Sequence, residues 1–201
     1  MKYLLGFLVI LLIAGGVFLG FNIGKNNSDS TKTTSTTTNA DGTTTTNTPI
    51  STANAKVLDL SNKGITKVDS SIYSKTDTTD LILSNNSIQT LPSEMGKMTN
   101  LVVFKIDHNL LDGSLIGEIR QMSKLKVLDV SYNKMTGMPA ELGQLSNLET
   151  LNYSNNSITG LPNELSKLKN NLKEFNLTGN PLSQSQINAL KASLPNTNII
   201  F

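Results

Sequence analysis

Residues 101–111 read LVVFKIDHNLL and residues 125–135 read LKVLDVSYNKM. Laid over one another, they place apolar residues at the first, fourth, sixth and eleventh positions and an asparagine at the ninth. These are Leu101, Phe104, Ile106, Asn109 and Leu111 in one, and Leu125, Leu128, Val130, Asn133 and Met135 in the other. Apolar residues two apart share one face of an extended strand, so the fourth and sixth positions point together into a core. The frame returns downstream at Leu148, Leu151, Tyr153, Asn156 and Ile158, then at Leu172, Phe175, Leu177, Asn180 and Leu182. Upstream it runs Thr78, Leu81, Leu83, Asn86 and Ile88, with Thr in the first place. The earliest copy is Ala55, Leu58, Leu60, Lys63 and Ile65, with Lys at the asparagine position. The copies follow one another at 23–24 residues. A unit this short cannot bury its apolar side alone, so the copies must stack on one another.

These segments resemble the leucine-rich repeat family over residues 55–201. The resemblance implies an α/β solenoid: a right-handed superhelix with a short-stranded parallel sheet on its concave face and irregular or short helical segments opposite. It also implies that Asn86, Asn109, Asn133, Asn156 and Asn180 turn their amides inward as a ladder bonded to neighbouring backbone. Their role is then structural. Lys63 interrupts that ladder in the first coil.

The second half of each copy fits the same scheme. Leu91-Pro92, Met138-Pro139 and Leu161-Pro162 recur, each followed by apolar residues such as Leu142 and Leu145 or Leu165 and Leu168. The third copy departs, with one extra residue and no proline in DGSLIGEIRQMSK. The repeats are assigned to 55–182 and a C-terminal cap to 183–201. In the cap, Ser183-Gln184-Ser185-Gln186 has the form of a capping box. Ile187, Leu190 and Leu194 follow at helical spacing, Pro195-Asn196 ends the helix, and Asn198–Phe201 can close as a short strand.

Upstream the composition changes twice. Tyr3–Ile23 is a 21-residue apolar run without charge. At 1.5 Å per residue it reaches about 30 Å, the thickness of a bilayer core. Residues 1–25 are therefore expected to be a transmembrane signal-anchor helix with the repeats facing the exterior of the cell. Cleavage after Ala14-Gly15-Gly16, giving a secreted form, is the alternative. Residues 26–54 are mostly Thr, Ser and Asn, with Ile50 the one bulky apolar residue. Such a stalk cannot bury enough surface to offset its ordering entropy and is expected to be disordered.

Residues 55–201 carry 14 basic and 13 acidic side chains, which leaves no basic patch for nucleic acid. The absence of cysteine excludes disulfides, thiolate metal sites and a thiol nucleophile. No phosphate loop, metal-ligand spacing or nucleophile elbow appears, so neither a cofactor, a metal nor catalysis is expected. The single histidine, His108, follows Asp107. Alternation along a strand would send the two to opposite faces.

The expected function is binding a protein or peptide on the concave face. The alternative is a structural surface protein that packs against wall material or against itself. Positions three, five, seven and eight of each repeat should face outward, and most hold small or polar residues such as Ser84, Asn85, Ser154 and Asn155. The middle differs. Val103 and Val127 are neighbours with Ile82 one coil away, His108 adjoins Tyr132, and Lys105 stands beside Asp129. Apolar and aromatic groups bordered by charge are what an interface hot spot contains.

Overall fold

The structure is a computed structural model that describes residues 56–201, together with a two-residue strand pair upstream. That pair is β1 (Thr37–Thr38) against β2 (Thr44–Thr45), antiparallel, in the unit spanning residues 1–50. The rest of the proposed anchor and stalk lies outside the described residues. Among those described, no helix is long and apolar enough to cross a membrane.

The second unit, Ser51–Phe201, is a stack of coils. Each coil contributes one three-residue strand: β3 (Val57–Asp59), β4 (Asp80–Ile82), β5 (Val103–Lys105), β7 (Val127–Asp129), β9 (Thr150–Asn152), β10 (Glu174–Asn176) and β11 (Asn198–Ile200). They form one parallel sheet in the order β11-β10-β9-β7-β5-β4-β3. Each inner strand therefore pairs with those of the preceding and following coils, and β3 and β11 form the two edges. About six strands were expected; Asn198–Ile200 pairs with β10 and makes a seventh. The central residue of each strand points inward, and Leu81, Phe104, Leu128, Leu151 and Phe175 are fully buried. Their flanking residues form the outer face.

The chain crosses the far side of the core in 3₁₀ turns at Ser93–Lys97, Gly117–Gln121, Ala140–Gln144 and Asn163–Leu168. The residue before each is extended: Pro92, Ile116, Pro139 and Pro162. With three residues per turn, side chains at i and i+3 eclipse. That brings Met95 with Met98, Ile119 with Met122, Leu142 with Leu145, and Leu165 with Leu168 onto the core, each at most 1% exposed. The first coil instead has a short α-helix, α1 (Ser70–Tyr73), capped by Asp69 and burying Ile72. The extra residue of the third repeat is taken up by β6 (Asp112–Gly113), which pairs in parallel with β8 (Lys134–Met135) of the next coil. Gly113 turns there at φ +70°, and Ile116 occupies the place that proline holds in the other coils.

The asparagines at position nine bridge consecutive coils. Asn109 Oδ1 accepts from Ile88 N at 3.0 Å, while its Nδ2 donates to Leu83 O, Ile106 O and Asp107 O. Asn133 and Asn156 repeat the arrangement on Leu111 N and Met135 N, and Asn180 does so on Ile158 N. Asn86 Oδ1 accepts from both Lys63 N and Ile65 N, so the first coil is served by the second although it lacks its own amide. A second, exposed ladder lies just before the strands: Asn100 donates to Thr76 O, Asn147 to Ser123 O and Asn171 to Ser146 O.

The C-terminal helix α2 (Gln184–Ser193) begins in a capping box in which Ser183 and Gln186 satisfy each other's backbone N–H groups. It buries Ile187 and Leu190, with Leu194 at its end, against the last coil.

Candidate functional site

The strand register fixes which outward residues touch. Position three runs Val57, Asp80, Val103, Val127, Thr150, Glu174, and position five runs Asp59, Ile82, Lys105, Asp129, Asn152, Asn176. Adjacent strands lie about 4.8 Å apart, so each series is a column of contacting side chains. Val103 and Val127 are half-buried neighbours, and Ile82 pairs with Lys105.

Much of the position-five column serves the fold. Asp59 Oδ1 accepts from Ser61 N and Oγ, and Asp129 Oδ1 accepts from Ser131 N and Oγ. Asn152 and Asn176 do the same for Ser154 N and Thr178 N. These are local side-chain turns that end the strand, a common use of Asp and Asn. Ile82 and Lys105 replace that device in the second and third coils.

Positions seven and eight show the same displacement. Position seven is Ser61, Ser84, Ser131, Ser154 or Thr178 in every coil but the third, where it is Asp107. In three coils it does not face outward as expected, since Ser84, Ser131 and Ser154 are buried under the strand exit, while Ser61 and Asp107 are half-buried and Thr178 is exposed. Position eight is left-handed in every repeat, with φ between 51° and 76°. Gly179 lacks the Cβ that makes this conformation cost about 1–2 kcal/mol and Asn62, Asn85 and Asn155 offset it through their short polar side chains, whereas Tyr132 has neither advantage and His108 only a partial one. Bulky residues with positive φ are uncommon enough to require a reason.

His108 and Tyr132 stack with ring centroids 4.2 Å apart and planes 14° from parallel. Tyr132 is still 51% exposed. His108 Nδ1 lies 2.9 Å from Asp107 Oδ2, and Ser84 Oγ donates to Asp107 Oδ1 at 2.5 Å. The expectation that Asp107 and His108 diverge is therefore corrected. The strand ends at Lys105, and the left-handed turn at His108 swings its ring back over the preceding carboxylate. Asp107 was missed because its position looked like a continuing strand. The three groups do not form a nucleophilic triad. The carboxylate stands between hydroxyl and imidazole, so the imidazole is not bonded to the proton it would have to remove.

Lys105 and Asp129 are register neighbours, but among the described residues Lys105 forms no ion pair. Asp129 is occupied by Ser131 and by Asn152 Nδ2 at 3.1 Å. At the start of the strands Lys126 and Lys173 both hold Glu149, at 2.9 and 2.5 Å. Their hydrogen bonds, that of Lys173 first, lower the Glu149 carboxyl below its ordinary range. Asp80 is the opposite case. It sits between Val57 and Val103, and burial raises its carboxyl against a weaker opposing bond from Thr79. A carboxylate desolvated on an open sheet face is a further departure, and the repeat pattern carries no sign of it. Among the described residues no group of three or more side chains could hold a metal ion.

Stacked coils, a parallel sheet of three-residue strands and an asparagine ladder define a leucine-rich repeat solenoid. The family model described as leucine rich repeat matches residues 123–182. The chain is similar to leucine-rich repeat and fibronectin type III domain-containing protein 1 of Danio rerio, at 38% identity over 63 residues. That match covers 31% of this chain and 11% of the relative. Lumican of Mus musculus is 34% identical over 135 residues, covering 65% of this chain and 39% of lumican. The chain thus spans well under half the length of either relative. Among solved structures, the repeat ectodomain of the receptor kinase SOBIR1 from Arabidopsis thaliana superposes with a TM-score of 0.56 at 26% identity. The superposition covers 75% of this chain and 81% of that one.

Proposed function

We propose that this chain is a membrane-tethered binding module whose second to fourth coils take a protein or peptide partner on the outer face of the sheet. The observation that carries the reading is where the sequence abandons the fold's least costly residues. Ile82 and Lys105 replace turn-forming Asp or Asn, Asp107 replaces Ser, and His108 and Tyr132 replace Asn or Gly in left-handed positions. All lie within three neighbouring coils, beside Val103, Val127 and Asp129. Departures from local consistency that cluster on one surface are expected where function, not folding, selects the residue. The similar SOBIR1 structure is the ectodomain of a receptor kinase, which accords with such a role. In the same reading residues 3–23 anchor the chain, and residues 26–54, with an r.m.s. span of about 30 Å, hold the coils clear of the membrane.

The test is recovery of a discrete stoichiometric partner by the full-length protein. Val103→Ser and Tyr132→Ala should each weaken that complex by about tenfold or more with circular dichroism unchanged, as residues at the centre of an interface do. Unchanged affinity in both would remove the site from this face. Self-association without a partner would favour a structural surface protein instead. The tether is tested by fractionation. The chain should stay with the membrane after alkaline washing, and a soluble form beginning near Val17 would refute the anchor.

A further inference from the structure

The position-eight column reads Asn85, His108, Tyr132, Asn155, Gly179 across successive coils. One face of the Tyr132 ring lies against His108, and the coils beyond it carry only Asn155 and then Gly179. The ring therefore stands at a step, with small residues on its far side and half its surface in water. Its partner in the stack is positioned by Asp107, whose other oxygen is bonded to Ser84. A flat, exposed ring whose orientation is fixed from behind is a platform for another planar group.

Charge decides which planar group. The outward residues of positions three and five include Asp59, Asp80, Asp129 and Glu174 against Lys105 alone, and the half-buried Asp107 adds a further carboxylate at the strand exit. The two carboxylates in the coils that carry the stack are held in place and not exhausted. Asp107 accepts one bond on each oxygen, and Asp129 accepts two on Oδ1 and one on Oδ2. An ionised carboxylate offers about four acceptor sites, so each can take a further donor without rearranging. A planar cation on an aromatic face beside fixed acceptors is the geometry that suits arginine more than lysine. Ile82, Val103 and Val127 lie alongside to receive the apolar neighbours of such a residue.

We infer that the His108–Tyr132 stack is a guanidinium subsite, and that the partner of the sheet face is an extended segment presenting an arginine to it. This rests on the binding role proposed above and specifies its ligand. The segment lies across the strands, its arginine stacks on the free face of Tyr132, and its guanidinium N–H groups donate to Asp129, whose Oδ2 is turned toward the following coil at Asn152; Asp107, on the other side of the stack, holds His108 in place.

His108 is the only histidine in the chain, so its ring resonances can be followed without assignment in the full-length protein. The probes are three peptides, acetyl-Gly-Thr-Xaa-Thr-Gly-amide, with arginine, citrulline or glutamate at Xaa. The arginine peptide should shift the His108 resonances saturably. Citrulline, of the same shape but uncharged, should bind about tenfold more weakly, the size expected for a cation–π and carboxylate contact. Asp129→Asn, which puts there the residue that Asn152 and Asn176 supply in later coils, should lower the arginine affinity more than the citrulline affinity and so narrow the difference between them, and Tyr132→Ala should weaken both. Equal affinity for arginine and citrulline, or no shift with any peptide at saturating concentration, overturns the inference. Tightest binding of the glutamate peptide also overturns it, and would leave the sheet face as the binding face with the opposite charge preference. If the natural partner is instead captured on the 3₁₀ side, the face itself falls, and the subsite with it.

Discussion

Replacing Asn133 by alanine removes one rung of the ladder, and the bonds around it indicate what is lost. Its Oδ1 accepts from Leu111 N at 2.9 Å, and its Nδ2 donates to Ile106 O, Val130 O and Ser131 O, each at 3.1 Å. All three carbonyls keep another donor. Ile106 O retains Asn109 Nδ2, Val130 O retains Asn156 Nδ2, and Ser131 O retains His108 N. The Leu111 N–H keeps none, and Leu111 is 3% exposed. One buried donor without a partner costs about 1–3 kcal/mol, so Asn133→Ala should lose about 2 kcal/mol. Asn86→Ala is the informative comparison. It strands more groups, the N–H of Lys63 and of Ile65 and the carbonyl of Leu60. They sit in the first coil, however, where Leu60 is half-buried and Lys63 exposed, and water can replace the amide. Its loss should be about half as large or less, since solvated groups escape most of the desolvation penalty. Urea titration of both variants, followed by circular dichroism, measures the two losses from the shift in midpoint at constant slope. A loss below about 0.5 kcal/mol for Asn133→Ala, or a larger loss for Asn86→Ala, would refute the reasoning, because both follow from counting bonds and their access to water.

A Cβ at Gly143 would stand 2.2 Å from the backbone Glu164 O of the next coil, so Gly143→Ala should cost about 2 kcal/mol or more. At Gly96 the obstacles are the movable end of Gln121 at 2.7 Å and the Cβ of Glu118 at 2.9 Å, neither of them backbone, so Gly96→Ala should lower the urea midpoint less; the reverse order would contradict the packing of the turns. Tyr153 replaces an aliphatic residue at position six, and its buried hydroxyl has no hydrogen-bond partner among the described residues. Tyr153→Phe should therefore raise stability by about 1 kcal/mol, and a drop would show that the hydroxyl is bonded. The raised carboxyl of Asp80 means that its ionised form is less favourable in the folded chain than in the unfolded one. The penalty is absent below the ordinary value of 3.8, grows as pH rises from there to the higher folded value, and is complete above it. Asp80→Asn should accordingly raise the melting temperature at pH 7 and give no gain at pH 3; equal gains at both would assign the effect to something other than ionisation.

The repeats were legible because inward residues are chosen by burial, and burial leaves a period. Leu101, Phe104, Ile106 and Asn109 announce the coil, and the same spacing in Leu125, Leu128, Val130 and Asn133 announces its neighbour. The outward residues have no such constraint, so their partners had to be seen. Alternation placed Val103 and Val127 together but failed beyond Lys105, where the strand stops and the chain turns left-handed. For that reason the Asp107–His108 contact was missed, although the runs of Asn at position eight carried a signal of positive φ. Asp129 looked like an ion-pair partner for Lys105 because register neighbours of opposite charge attract. The nearer hydroxyl and backbone N–H of Ser131 take its oxygen instead. The extra residue of the third repeat was visible in the sequence. Its accommodation by a strand pair with a turn at Gly113 was not, because the pairing partner lies in the following coil.

The partner should sit on the sheet face and not on the opposite side of the coils. Photocrosslinking of the full-length protein in its own cells tests it directly, with a photoreactive amino acid replacing either Lys105 on the sheet face or the exposed Lys167 in the 3₁₀ turn Asn163–Leu168. A discrete adduct of a single size is expected from position 105, together with its loss when Tyr132→Ala is added and no adduct from position 167. An adduct from position 167 with none from position 105 would contradict it.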